Sequence, residues 1–548
     1  MKLAIHYSSV STSQQPAQIF GLQVAIARWV KAYFRYATQE KFSFLIGDAL
    51  ALHEIQTYAG AVGLSADRIE AIDQRYARQN FSAFDVIFRP DPHPLRLLWQ
   101  RQQVTPRPPA LCTLAHAISG IEAGEVLERY CLDPSTATDT IICPSVAVSK
   151  AIRSFWDLYG DYLRQRFGSH FSCPVQLPVI PLGIDTEHFS DITTADKRQS
   201  QRQSLDIGDD DIVLLWVGRL SHAIKAHPLP MFQAAETAAR ETGKRVHLVM
   251  VGYFVPAEAE PQFQSLASDI CQTAAVHFIA SDDPCFPDGL WAAGDIFLSL
   301  IDNMQESFGL TPIEAMAAGL PRVISDWDGY RDCVTHGEDG FLIPTLQPPA
   351  GQGRALSELL LDQREVYGGF LAKTAQCVAV DTAKASKAVV TLINNPDLRH
   401  SMAAKAKQRA KDIYDWRHII PAYEALWRKQ AARNTAQAAL PAYPSALPQA
   451  PDPFTMYAAY PSASLHPDGK LRLITDKASI EKLWRHDINT LAMDVLLPPD
   501  QIMALIRYVA AHPDAVIGSI PQPTDDAPRF WRSLGWLIKL GILSYQPV

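Results

Sequence analysis

Glu306-Ser-Phe-Gly-Leu-Thr-Pro-Ile-Glu314 follows the apolar run Asp295–Leu300, and the fold is read outward from these two pieces. The run reads as a buried strand. Thr311 suits a helix N-cap, Pro312 the first helical position and Glu314 the third. Gly319 suits the position just past the helix, with Pro321 beyond it. Strand, loop and short helix in this order are the repeating unit of a parallel α/β sheet. Ligands of such sheets sit outside the carboxyl ends of the strands, which is where Glu306 falls. A helix N-terminus offers free N–H groups to a phosphate, and Gly309 lets the backbone come close to a ligand. A carboxylate at 306 can accept hydrogen bonds from sugar hydroxyls. Two plainer readings stand beside these. Thr-x-x-Glu is also a capping box, with Glu314 returning to the N-cap amide. Glu306 reads equally as a solvated loop acid.

A second segment, Val217-Gly218-Arg219-Leu-Ser-His-Ala-Ile-Lys225, puts two cations just after another apolar run, Ile212–Val217. Two cations at a strand's carboxyl end suit a diphosphate, whose charge grows as it leaves. The alternative is a pair of surface cations in solvated salt bridges.

Further out, short apolar runs alternate with helical patterns. Leu3–Tyr7, Phe42–Ile46, Val86–Arg89, Ala110–Ala115 and Thr140–Cys143 read as strands, and Phe20–Tyr36 as a helix. The pattern restarts with Ile212–Val217, Val246–Val251, Val276–Ala280 and Asp295–Leu300, with a helix near Pro230–Glu241. Two α/β domains are expected, over 1–189 and 190–395, with a cleft between them. A helical segment follows at 396–430, then a proline-rich linker at 431–453 and a last unit at 454–548. That unit carries nine Lys or Arg and nine Asp or Glu. It reads as a winged-helix-like module or as a packing and partner-docking domain, and its neutral balance argues against DNA binding.

The chain has 548 residues, of which 50 are Lys or Arg and 58 Asp or Glu, a net charge of -8. A nucleic-acid binder would carry a basic excess, so no nucleic-acid partner is expected. The 8 cysteines form no Cys-x-x-Cys pair and read as reduced, with no metal site expected. No run reaches the ~20 apolar residues that span a bilayer. A cytoplasmic protein is expected, with peripheral contact at the inner membrane face as an option. Phe20–Tyr36 carries Trp29 and Phe34 with cations at 28, 31 and 35, and reads either as a lipid-surface helix or as the first helix packed on the sheet.

Together these segments resemble glycosyltransferase family 4, retaining enzymes of the GT-B fold. The likeness runs along most of 1–430. It includes Asp139-Thr-Ile-Ile-Cys-Pro-Ser145, Val179-Ile-Pro-Leu-Gly-Ile-Asp185, Ala317-Ala-Gly319-Leu-Pro321, Asp339-Gly340 and Tyr414-Asp-Trp416. The resemblance implies two Rossmann-like domains facing a cleft, plus the C-terminal accessory domain. It implies a nucleoside diphosphate sugar, UDP- or GDP-linked, as donor on the second domain. A saccharide, lipid-linked or protein acceptor would sit on the first, and transfer would retain the anomeric configuration. Glu306 would contact the donor sugar and Glu314 the ribose. Arg219 and Lys225, after Gly218, would hold the diphosphate. Ser307 and the amides of Phe308, Gly309 and Leu310 would face the sugar and phosphate. His116, in Thr113-Leu-Ala-His116, would face the sugar; its alternative is a core or capping histidine. Gly21 is the best candidate for close approach to phosphate in the first domain. No cofactor or metal is implied, because the cations take that place. The step from Arg219 to Lys225 is six positions where five is common in the family, and Ala226 stands where glycine is common. Residues 347–378 read as an insertion. Rival functions are glucan synthase-like polymer extension and a non-catalytic nucleotide-sugar-binding partner protein. The accessory domain would dock a protein partner or a second subunit.

Overall fold

A computed structural model describes residues 1–9, 21–94, 96–102, 107–168, 171–286, 288–436, 450–522 and 526–548. The chain divides into two compact units, Met1–Pro444 and Ser445–Val548.

The first unit holds two six-stranded sheets. Strands β1 (Leu3–Tyr7), β2 (Phe42–Ile46), β3 (Ile69–Asp73), β4 (Val86–Arg89), β5 (Ala110–Leu114) and β6 (Thr140–Ile142) stand in the order β3-β2-β1-β4-β5-β6. Strands β7 (Ile212–Val217), β8 (Val246–Val251), β9 (Ala275–Ile279), β10 (Ile296–Ser299), β11 (Arg322–Ser325) and β12 (Gly340–Ile343) stand in the order β12-β11-β10-β7-β8-β9. Every pairing in both sheets is parallel. These are two doubly wound Rossmann-like sheets, the GT-B arrangement. Each inner strand is buried on both faces, which is why it reads as an unbroken apolar run. In each sheet the chain winds one way and then the other. The winding reverses between β1 and β4 in the first sheet, and between β7 and β10 in the second. Such switch points open a crevice at the carboxyl ends of the strands.

The helix Gly21–Tyr36 packs on the first sheet. Trp29, Tyr33 and Phe34 are buried, so its apolar face is core rather than a lipid-facing surface. Gly21 opens this helix; the loop expected to bring it to phosphate, residues 10–20, lies outside the described residues.

The expected helical stretch 396–430 is not one helix. Pro396–Arg409 runs into a π-turn at Ala410–Tyr414, and Asp415 is extended (φ -65, ψ 138) before Trp416–Ala436 begins. The break has a partner. Ile184, in the crossover between domains, donates to the Tyr414 carbonyl at 2.8 Å and accepts from the Trp416 amide at 3.1 Å. A Cβ on Gly183 would lie 2.4 Å from the Trp416 ring, so glycine is required for the two crossing segments to touch. Residues 431–436 complete the helix rather than begin a linker, and 437–449 lie outside the described residues. The helix Trp416–Ala436 seats Trp427, fully buried, among Trp29, Tyr33 and Phe88 of the first domain's core and beside Tyr423 of its own helix, with ring centroids 5.3–6.4 Å away.

Residues 347–378 hold the helices Arg354–Leu361 and Tyr367–Ala375, and the Tyr367 hydroxyl lies 2.8 Å from Ser119 Oγ in the first domain.

The second unit has its own core, with Leu471, Ile502, Leu534 and Ile542 buried. An antiparallel three-stranded sheet places Lys470–Leu473 between Ala515–Val516 and Leu543–Gln546. The helix Ala527–Lys539 comes between the two outer strands in the chain. Among the described residues no helix is long and apolar enough to cross a membrane.

Trp427→Ala would remove the ring that joins the returning helix to the first domain's aromatic core. We expect a loss of about 3–5 kcal/mol, read by urea denaturation followed by far-ultraviolet circular dichroism. A loss below about 1 kcal/mol would mean that the first domain's core does not depend on this helix.

Candidate functional site

The loop after β7 and the loop after β10 meet at the second sheet's switch point, and side chains lace them together. Lys225 Nζ donates to Glu306 Oε2. Arg219 Nη2 donates to Gln305 Oε1 at 3.2 Å. Asn303 Nδ2 donates to the Ala223 carbonyl at 2.8 Å, and the His227 amide donates to the Asp302 carboxylate at 3.3 Å. The six-residue step from Arg219 to Lys225 therefore still brings both cations to the carboxyl ends of the strands.

Lys225 and Glu306 keep only 14% and 17% of their side-chain surface exposed. Burial alone would lower the lysine and raise the carboxyl. Their mutual attraction outweighs it, with Arg219 also favouring the carboxylate, so Lys225 is held above and Glu306 below the ordinary range. Glu306 is therefore a paired carboxylate rather than a solvated loop acid. Asp302 behaves differently: burial pushes its carboxyl up to about 7 against the pull of the His227 amide.

The helix after β10 starts two residues earlier than the sequence suggests. It spans Leu310–Ala317, and its N-cap is Gly309 at φ 96, with no side-chain cap. Thr311 is inside the helix, so the capping box does not form. The cause is steric. A Cβ on Gly309 would lie 2.3 Å from the ring of buried Tyr330, so only glycine lets the loop turn there. Glu314 is released from capping and instead accepts from Arg28 Nη1 at 2.5 Å. Arg28 belongs to the helix Gly21–Tyr36 of the first domain, so this bond spans the cleft.

Two further bonds close the cleft. Ser145 Oγ donates to the Ser307 carbonyl at 2.8 Å, and the Val146 amide, at the start of the helix Val146–Phe167, donates to Asp332 Oδ2 at 2.8 Å. Phe308 is buried at the base of the loop. Gly218 follows β7 with its amide on the Val251 carbonyl at 2.9 Å.

His116 follows β5 on the first domain. Its Nε2 lies 2.8 Å from the Pro90 carbonyl, and burial lowers its pKa. The structure thus brings Arg219, Lys225, Glu306, Glu314 and residues 307–310 together, and gives His116 a bond within its own domain. Sequence reasoning missed Arg28 and Asp302, and it gave Asp328 no role. Arg28 is 286 positions from Glu314, and only the topology joins them. Asp328 had one signal, its place beside Gly329 in a loop after a strand.

Comparison with known proteins agrees with this layout. The family model "Glycosyl transferases group 1" matches residues 197–368. A D-inositol 3-phosphate glycosyltransferase of Geodermatophilus obscurus is 29% identical over 192 residues, 34% of this chain and 41% of that protein. D-inositol 3-phosphate glycosyltransferase 2 of Catenulispora acidiphila is 32% identical over 179 residues, 32% of this chain and 40% of that protein. The chain spans about two fifths of the length of these curated relatives. The crystal structure of a glycosyltransferase from Rickettsia africae ESF-5 superposes with a TM-score of 0.50 at 12% identity, covering 78% of this chain and 98% of that one. The resemblance read from the motifs is borne out, and the two-domain fold is shared with that structure.

The Lys225–Glu306 pair has a measurable cost of separation. Lys225→Met strands a mostly buried carboxylate and should cost about 3 kcal/mol, whereas adding Glu306→Gln should recover part of that loss. A double-mutant cycle by urea denaturation checks this, and strictly additive losses would show that the two groups are not coupled.

Proposed function

We propose that this chain transfers a sugar from a nucleoside diphosphate sugar to an acceptor hydroxyl, with retention of anomeric configuration. The observation that carries the reading is the convergence of Arg219, Lys225 and Glu306 at the switch point between β7 and β10, beside the N-terminus of the helix Leu310–Ala317. The group 1 glycosyl transferase match over 197–368 supports it, since that span contains all four features.

Each residue then has a physical task. Lys225 and Glu306 satisfy one another in the unliganded protein. When a donor enters, Lys225 and Arg219 turn to the diphosphate and Glu306 to a sugar hydroxyl. The bond from the anomeric carbon to the diphosphate breaks, and the acceptor oxygen bonds to the same face of that carbon. The leaving diphosphate takes the acceptor proton. Its growing charge is met by the two cations and by the amides of Phe308, Gly309 and Leu310, placed before the reaction begins. Glu314 exchanges Arg28 for the ribose hydroxyls. His116, lowered by burial, meets the sugar as a neutral imidazole. Closure of the first domain over the second excludes water.

The donor is a UDP- or GDP-sugar in this reading. The relatives are named for D-inositol 3-phosphate, but the family match covers the donor side alone, and we assign no acceptor from it.

The test is nucleotide release from UDP-, GDP- and ADP-sugars without acceptor, for the wild type and Glu306→Gln. We expect slow release from one donor, lowered about 10–150-fold in the variant, the value of one charge-assisted hydrogen bond in the transition state. Tight donor binding with no release from any donor, under any acceptor tried, would favour the non-catalytic binder.

A further inference from the structure

Beside Glu306 the cleft opens into a cavity of about 390 Å³, within the ~300–1,000 Å³ of small-molecule sites. Its second-domain wall includes Glu306, Trp327 and Asp328, and its first-domain wall is apolar, with Ile118 and Val148. An aromatic ring and two carboxyl groups facing an apolar wall suit a sugar ring, which has apolar faces and a belt of hydroxyls.

Asp328 is held there at a cost. Its φ is 50, a left-handed conformation that aspartate adopts more readily than most side chains but less readily than glycine. Its neighbours explain why it does not relax. The Trp327 indole Nε1 donates to the Asn303 carbonyl at 3.1 Å, which ties the loop to the residues before Glu306. On the other side, a Cβ on Gly329 would lie 2.4 Å from the Phe308 Cα, so this backbone is pressed directly against the loop that precedes the helix Leu310–Ala317. The surroundings thus fix this backbone conformation beside Glu306.

The two carboxyls differ in charge. Glu306 is ionised against Lys225. Burial and then the charge of Glu306 push Asp328 up to about 8, against the pull of the Gly329 amide and Arg331. At neutral pH one carboxyl accepts hydrogen bonds while the other both donates and accepts. Neighbouring hydroxyls of one ring need such a mixed set.

We propose that Asp328 is a specificity-determining residue whose carboxyl holds ring hydroxyls of the transferred hexose, with the Trp327 indole beside it. This rests on the nucleotide-sugar reading above and deepens it. In this proposal the effect of Asp328 is confined to the sugar.

The experiment is calorimetric titration of the full chain, wild type, Asp328→Gly and Asp328→Asn, with UDP, GDP and ADP and with the matching glucose, galactose and mannose nucleotides. Glycine accepts φ 50 without strain, so Asp328→Gly deletes the carboxyl while keeping the fold, which its melting temperature verifies. We expect both variants to bind the preferred nucleotide sugar about tenfold more weakly. Free nucleoside diphosphate should bind unchanged, and the preference among hexoses should narrow. Equal weakening for nucleotide and nucleotide sugar would make the role structural and overturn the proposal. Unchanged affinity and preference in both variants would also overturn it. A wild type that binds neither form of any nucleotide would refute the underlying reading, and is recognised without any variant.

Discussion

Lys225 and Glu306 face each other where the second sheet reverses its winding, and much of the site is arranged around that contact. Each is a charge taken largely out of water, which is tolerable only because the other is there. The pair ties the loop after β7 to the loop after β10, and the Arg219–Gln305, Asn303–Ala223 and His227–Asp302 bonds continue the seam. A positive and a negative group thereby stand ready at one spot, preorganised by the sheet rather than by a ligand.

The same loop is braced from three sides. Tyr330 blocks any side chain at Gly309, Gly329 lies against Phe308, and Ser145 of the first domain holds the Ser307 carbonyl. The first domain reaches over through Arg28 to Glu314 and through Val146 to Asp332. These bonds are few and polar, while the aromatic packing of the helix Trp416–Ala436 is broad and apolar. The chain crosses between domains at Ile184 and again at Asp415, and the two crossings are hydrogen-bonded to each other. A narrow double crossing with light polar contacts across the cleft is suited to hinge motion without loss of either core.

Much of the fold is legible in the sequence because buried parallel strands are unbroken apolar runs. Ile212–Val217 and Val246–Val251 need no context. Ile69–Asp73 escapes notice because it is an edge strand with acids at both Glu70 and Asp73. Arg322–Ser325 escapes because it opens with a buried arginine, paired with Asp339 at 2.8 Å. The helix start at Leu310 is misread because Thr311 and Pro312 satisfy local rules that Tyr330, contacting through space, overrules. For the site, the motif residues are visible as loop residues after strands, but their meeting is not. That depends on β10 lying next to β7, a strand order that local pattern does not write. Arg28 and the role of Asp328 are beyond local reading for the same reason. One becomes informative only across the cleft, and the other only through its backbone angle and the cavity it lines.

The central claim is that the switch point is a nucleotide-sugar site. The most direct measurement is a crystal structure of the full chain with the UDP- or GDP-sugar that binds best. We expect the diphosphate within hydrogen-bond distance of Arg219 and Lys225, the ribose on Glu314 with Arg28 displaced, and a sugar hydroxyl on Glu306. A donor bound elsewhere, with the Lys225–Glu306 and Arg28–Glu314 pairs intact, would contradict it.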